Sequence, residues 1–288
     1  MVTKPDLAPR KEKAMRRVHF VKDEDLPIVF PHSCIRTPRI TSRAVDFILC
    51  IKHNELISNE ILRKGMFHGA AVTVMMDLLA NYPNGTLLDL GSNLGSFSVA
   101  AAAFNYSVVS VDPFLHNHAY SRLSTSLLGS QKYVTYIQNT VSNGTEPLYP
   151  WFREPTNQGR IFFVNKESAD KLPVEEIGSP VHPVNLEDIL ETITTEILII
   201  KIDIEGHECK ALLPFLERPE KTKYVPYIMM EWVIIRRNRE GLCPNLKQLV
   251  KAFLQAGYFP VGMNLRRVSL KTAKYWDDVI WVHQQAIF

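Results

Sequence analysis

Asp203, Glu205, His207 and Glu208 place three carboxylates and one imidazole within six residues. An imidazole oriented by a carboxylate can take a proton from a hydroxyl near neutral pH, which makes His207 a candidate general base. A second set, Asp89, Gly91, Gly95 and Asp112, lies in the stretch GTLLDLGSNLGSFSVAAAAFNYSVVSVDPF, residues 85 to 114. Gly91 and Gly95 let backbone come close to a ligand and take φ values other residues resist. Asp112 ends an apolar run, where a carboxylate can accept hydrogen bonds from both hydroxyls of a ribose. The spacing DxGxxxG lacks the tighter GxGxxG turn that a pyrophosphate requires, which places a nicotinamide oxidoreductase last among the readings. An acid at the turn suits a cationic ligand without phosphate, and S-adenosylmethionine, with its sulfonium and ammonium groups, is such a ligand.

The elements that must position these groups follow from the apolar patterning. Thr86–Leu90 is a short strand, Ser96–Ala103 a helix of small residues, and Ser107–Val111 a second strand. Together they form the first half of a nucleotide-binding α/β domain, with the helix start aimed at the carboxyl edge of the sheet. The run 196–202 reads as an apolar strand, the signature of a central parallel strand, and it delivers Asp203 and its neighbours to that same edge. Residues 44–51 read as a strand and 67–81 as a helix burying Val72, Met75, Met76, Leu78 and Leu79, stopped by Tyr82-Pro83-Asn84-Gly85. Further helices are expected over 117–128, 185–193 and 245–255, and strands over 133–138, 227–230, 258–263 and 279–282. Residues 143–160 form an irregular insertion whose Trp151 and Phe152 either line an acceptor pocket or pack on themselves.

The chain of 288 residues is long enough for one large α/β domain with an extension, and its net charge is only +3. Much of the positive charge lies in Lys4, Arg10, Lys11, Lys13, Arg16 and Arg17, so residues 1–30 are expected to be a flexible basic arm without nucleic-acid contact. Residues 31–84 then form an extension with a lead-in helix, and 85–288 the main domain. Cys34, Cys50, Cys209 and Cys243 show no CxxC pair or zinc spacing. They read as free thiols and favour a cytoplasmic location over the secretory pathway. No stretch reaches the roughly 20 apolar residues of a membrane span. Three triplets, Asn84-Gly85-Thr86, Asn105-Tyr106-Ser107 and Asn143-Gly144-Thr145, have the glycosylation pattern; two fall inside the nucleotide-binding unit, and all three read as chance.

LLDLGSNLGSFS with VVSVDPF, followed by LIIKIDIEGHECKAL, resemble the FkbM-type methyltransferase family over roughly residues 60 to 285. NLEDIL (185–190) and MMEW (229–232) are weaker matches. The resemblance implies a class I methyltransferase fold, a seven-stranded, mostly parallel Rossmann-like sheet with helices on both faces. It also implies S-adenosylmethionine as methyl donor and a hydroxyl of a sugar, glycan or small molecule as acceptor. By position, Asp89, Gly91, Ser92, Asn93 and Gly95 cradle the methionine part, Asp112 holds the ribose, and Asn139 lies near the adenine. Two positions depart from the family: Asp112 stands where Glu is common, and His68 stands where an acid often precedes the first strand.

Within this reading His207 is the base, with Glu205 or Glu208 orienting its ring, and Asp203 contacts the donor's amino group or the acceptor. The structural alternatives are a helix-start histidine bonded to backbone and, for Glu208, a first-turn acid on a helix dipole. Glu231 either completes an acidic rim or pairs with Arg236 or Arg237. The cluster of Asp203, Glu205 and Glu231 also admits magnesium, although no metal is assigned. Catalytically inactive retention of the fold as a binding module is the alternative function.

Overall fold

The computed structural model describes residues 8–40, 45–153, 161–218, 222–238 and 241–287. In chain order the main elements are α1 (Ala8–Arg17), α2 (Leu56–Lys64), α3 (Gly69–Ala80), β1 (Thr86–Leu90), α4 (Ser96–Ala103), β2 (Ser107–Val111), α5 (Leu115–Leu127) and β3 (Val134–Ile137). They continue with α6 (Leu186–Thr192), β4 (Ile197–Ile202), α7 (Glu208–Glu217), β5 (Tyr224–Glu231), α8 (Leu246–Gln255), β6 (Tyr258–Val261) and β7 (Asp278–His283). The seven strands form one sheet in the order β6-β7-β5-β4-β1-β2-β3. Pairing is parallel except around β7, which runs antiparallel to both β5 and β6. This is the class I methyltransferase-type sheet expected above.

Strand periodicity divides the apolar residues between two layers. Leu88, Leu90, Leu198, Ile200 and Ile202 face a core closed by α6, α7 and α8. Leu87, Val108, Ile199, Tyr227 and Met229 face the other, closed by α3 and α4. Asp89 and Lys201 break the apolar pattern on this second face. The register fixes where the chemistry-bearing residues emerge: Leu90 pairs with both Val111 and Ile202, and Ile202 with Met230. Gly91, Asp112, Asp203 and Glu231 therefore leave four adjacent strands at one edge.

The basic segment does not behave as a free arm over its described part. α1 packs on α6, with Arg17 paired to Asp188 at 3.1 Å. Val18 is buried, and Phe20 forms an antiparallel bridge with Ile137 on the outer strand β3. The Val21 amide donates to the Tyr136 carbonyl, and the Gln138 amide to that of His19. An unpaired sheet edge is thereby covered, a requirement that charge counting does not reveal. Ile28 and Phe30, at the end of this segment, are 85% and 80% exposed.

The cysteines also differ from expectation. Cys34 is joined to Cys50 and Cys209 to Cys243, leaving no free thiol among the described residues. The first pair bridges neighbouring positions of the antiparallel ribbon Ser33–Arg36 and Ile48–Ile51, which lies on α5. The second ties the first turn of α7 to the loop before α8. Pairs 16 and 34 residues apart acquire meaning only once the topology brings them together. Paired cysteines give no support to the cytoplasmic location that free thiols would favour. No described helix is long and apolar enough to cross a membrane.

Candidate active site

Gly91, directly after β1, lies hard against the chain leaving β4. A Cβ there would stand 1.8 Å from the Asp203 carbonyl oxygen, and the residue has φ +76°. Gly95, at φ +87°, starts α4 against Ser121, whose Oγ would lie 2.5 Å from an added Cβ. Between them Asn93 takes a left-handed φ of +48°, so the segment curls around its own backbone amides.

A cavity of 240 Å³ opens at this edge. Its floor is Gly91, Ser92 and Asn93; one wall carries Val111, Asp112 and Phe114; the other carries Asp203, Glu205, His207 and Glu231. Asp112 is buried, and its carboxylate accepts from the Asn93 amide, the Phe114 amide and Asn117 Nδ2, each at 2.9 Å. Asn117 in turn accepts from Lys52 Nζ at 2.6 Å. The buried Ser92 Oγ, at the floor, has no hydrogen-bond partner. An orphan hydroxyl, a held carboxylate and apolar side chains from Val111 and Phe114 together fit an adenosine bearing a polar tail.

Asp89 is placed otherwise than as a direct ligand. It is fully buried beneath the turn, does not line the cavity, and accepts from Ser98 Oγ at 2.6 Å. Its second partner is Lys201, which the sequence reading missed. Lys201 Nζ donates to the Gly91 carbonyl at 2.8 Å and lies 3.6 Å from Asp89 and 3.8 Å from Asp203. Burial pushes Asp89 upward, against the pull of Lys201 and Ser98. Burial acts to lower Lys201, but Asp203, Asp89, Glu231 and Asp112 together hold it above its ordinary value. The signal for Lys201 was a lone lysine inside an otherwise apolar strand, which has meaning only across the register pair Lys201–Asp89.

Asn139 borders the cavity, but its amide is occupied with the chain itself. Its Oδ1 accepts from the His19 amide at 2.8 Å and its Nδ2 donates to the His182 carbonyl at 3.1 Å. It thereby fastens the amino-terminal segment to the site wall.

After β4 the chain turns through Glu205 and Gly206, at φ +54° and +101°, into α7. Glu208 Oε1 accepts from the Ile204 amide at 2.9 Å and so closes this turn. Burial pushes Glu208 up to about 7. His207 is buried at the cavity wall, with Nε2 3.2 Å from the Phe163 carbonyl and Nδ1 3.4 Å from Ser142 Oγ. Because a carbonyl can only accept, Nε2 carries the proton and Nδ1 keeps its lone pair. The orienting groups are thus a carbonyl and a hydroxyl, rather than Glu205 or Glu208. Burial, helped by Lys210, lowers His207 to about 4, so its ring is neutral at physiological pH.

Glu231 completes an acidic rim. Arg236, one expected partner for it, is bound to Asp277 at 2.8 Å. Asp203, Glu205 and Glu231 each offer an oxygen within 4.8 Å of the others, a set that suits a hard cation. Burial raises Glu231 far above the carboxylate range, and the charges of Asp203 and Glu205 add to this. The sign of its effect on stability follows from the proton count. Above its ordinary value of 4.5 the unfolded state releases a proton that the folded state retains. Its contribution is therefore complete below that pH and is lost as pH rises. Glu231→Gln is expected to raise stability at pH 8 by about 1 kcal/mol or more, within the usual range of single substitutions. The gain should vanish at pH 4, as read from denaturant midpoints at the two pH values.

Phe163, from the ribbon Tyr149–Trp151 and Phe162–Val164, lines the cavity, while Phe152 tilts against Phe114 with centroids 6.0 Å apart. Trp151 turns instead to Glu176, donating from Nε1 at 2.8 Å. Neither Trp151 nor Phe152 lines the cavity; they pack on neighbouring chain, and the wall here comes from Ile161 and Phe163 just beyond the insertion. Residues 154–160 of it lie outside the described residues. His68, at φ +51° and stacked on Phe67, stands at the cavity mouth.

No family model matches the chain, and no curated relative does. Among solved structures it is similar to the O-methyltransferase from Bacillus cereus in complex with SAH, at 10% identity and a TM-score of 0.42, over 75% of this chain and 82% of that one. A TehB-like SAM-dependent methyltransferase from Corynebacterium glutamicum is 8% identical with a TM-score of 0.40, over 78% and 94% of the two chains. Methyltransferase FkbM from Methylobacillus flagellatus is 14% identical with a TM-score of 0.40; the match covers 69% of this chain and 44% of that structure. At these scores the description of the fold rests on strand order and register. The chain has the general fold of S-adenosylmethionine-dependent methyltransferases, and no single family of them is singled out.

Proposed function

We propose that the chain is an S-adenosylmethionine-dependent O-methyltransferase acting on a hydroxyl of a sugar, glycan or small molecule. The observation that carries this reading is one cavity holding both the Gly91–Asp112 floor and a neutral, buried imidazole. Asp112 would hold the ribose hydroxyls, and Ser92, Asn93 and the backbone from Gly91 to Gly95 the methionine portion. Asp203 and Glu205 place carboxylates where the donor is cationic, and Glu231, which retains its proton, offers a hydrogen bond beside them. When bound, S-adenosylmethionine supplies an electrophilic methyl group.

The residues of the chain then have to align and deprotonate the acceptor. His207 Nδ1 is the atom that would accept the hydroxyl proton, with Nε2–H fixed on the Phe163 carbonyl. Ser142 Oγ occupies that lone pair in the absence of acceptor and must yield to it. Asp89 acts through Lys201, which holds the Gly91 carbonyl and hence the floor. His207→Gln is expected to lower kcat by about 10² or more while donor affinity stays within a factor of about 3. Transfer of a labelled methyl group to a panel of sugar and phenol acceptors provides the readout. Equal turnover by the variant would remove His207 from the mechanism.

A second reading, a binding module without turnover, is favoured by one observation: both ring nitrogens of His207 already face protein partners. Donor binding with no methyl transfer to any acceptor in the panel would select it. The two disulfides support an oxidising compartment such as the secretory pathway.

A further inference from the structure

We propose that Asn84, Asn105 and Asn143 are attachment sites for N-linked glycans. Two of the triplets they open fall inside the strand–helix–strand unit, which by sequence alone argues against a glycan there. Their positions in the fold remove that objection. All three asparagines are exposed and lie between elements, not within them: Asn84 between α3 and β1, Asn105 between α4 and β2, and Asn143 after the strand Thr140–Val141. The buried Asn117 and Asn139 belong to no such triplet.

Thr86 and Ser107, the hydroxyl residues of the first two triplets, are direct partners across β1 and β2. Asn84 and Asn105 therefore leave the same sheet edge side by side. Each strand is five residues long, which puts this edge roughly 17 Å from the one that carries Gly91 and Asp112. Glycans here would stand away from the cavity. Asn105 also serves a left-handed turn, at φ +64°, whereas Asn84 and Asn143 have no such backbone role among the described residues. Asn143 follows Ser142, which is buried against His207, and is itself exposed.

The second, independent observation is the pair of disulfides, Cys34–Cys50 and Cys209–Cys243. They belong in an oxidising compartment, and the inference rests on that reading of location. Such a compartment is where the co-reactant, an oligosaccharide carried on a polyprenyl diphosphate, is available. In the transfer the asparagine Nδ2 forms a bond to the anomeric carbon of the oligosaccharide. The bond from that carbon to the diphosphate oxygen breaks, the diphosphate leaves with the electron pair, and the amide gives up one proton.

The test uses the full chain secreted from insect cells behind an appended leader. The product is treated with peptide N-glycosidase in ¹⁸O-water and mapped by mass spectrometry. Labelled aspartate is expected at all three positions, with Asn84→Gln, Asn105→Gln and Asn143→Gln each removing one glycan step on a gel. Label at some positions upholds those and overturns the others. Secreted chain without label at any of the three overturns the proposal. So does retention of the wild-type chain in the cell when the triple Asn→Gln variant is secreted. Donor binding does not enter this readout, so failure here is distinguishable from failure of the methyl-transfer reading.

Discussion

Gly91→Ala is expected to cost more than about 4 kcal/mol, the exceptional end of single substitutions, and to abolish donor binding. The new methyl carbon would sit 1.8 Å from the Asp203 carbonyl oxygen. That oxygen cannot retreat cheaply, because the Asp203 amide is bonded to the Leu90 carbonyl at 3.0 Å and Lys201 grips the Gly91 carbonyl. Relieving the contact would part β1 from β4 at the cavity floor. The left-handed φ adds about 1–2 kcal/mol for any residue with a Cβ. Gly129→Ala is the control. Gly129 has φ +66° but nothing within 4 Å of an added Cβ, so only that smaller conformational cost applies. Thermal unfolding of the two variants should separate crowding from conformation. A Gly91→Ala midpoint equal to that of Gly129→Ala would contradict the close approach of the two strands.

The second large effect belongs to Lys201. Lys201→Met keeps the length of the stem but removes the charge between Asp89 and Asp203. Asp89 is wholly buried, and stranding such a carboxylate costs about 3–5 kcal/mol. The loss should appear in urea midpoints and should be largely recovered by combining Lys201→Met with Asp89→Asn. That recovery identifies the cost as an uncompensated charge, since the double variant contains neither member of the pair. A double variant no more stable than Lys201→Met would instead mean that the stem packing or the Gly91 carbonyl contact carries the energy.

How much of this was legible beforehand depends on whether a residue's meaning is local. Gly91, Gly95 and Asp112 could be read directly because strand, turn, helix and strand follow one another within 30 residues of sequence. The second block was legible for the same reason: an apolar strand ends in Asp203, and the chemistry-bearing residues come at once. Asp89 was recognised as part of the turn, but strand periodicity sends its carboxylate under the turn to Ser98 and Lys201. Lys201 itself needed the pairing of β4 with β1, which no window of sequence contains. Asn139 was placed at the cavity, but its amide proved to fasten the amino-terminal segment, a contact reaching 120 residues back. The same holds for the cysteines, whose pairing is a property of the folded topology.

The histidine shows where composition misled. A cluster of carboxylates around an imidazole suggests a Glu–His pair, yet Glu208 bends back to the Ile204 amide and His207 turns to Phe163 and Ser142. Both turns follow from burial, since a buried carboxylate and a buried ring nitrogen each demand the nearest partner. The result is a ring held neutral, the protonation state a base requires before it acts.

Titrating S-adenosylmethionine and S-adenosylhomocysteine into the protein by calorimetry decides whether the cavity is a donor site. Wild type is expected to bind both with micromolar affinity. Asp112→Ala, checked by its melting curve to be folded, is expected to bind at least 100-fold more weakly. No heat of binding from folded wild-type protein would contradict the account, and the glycine turn would then be a feature of the fold alone.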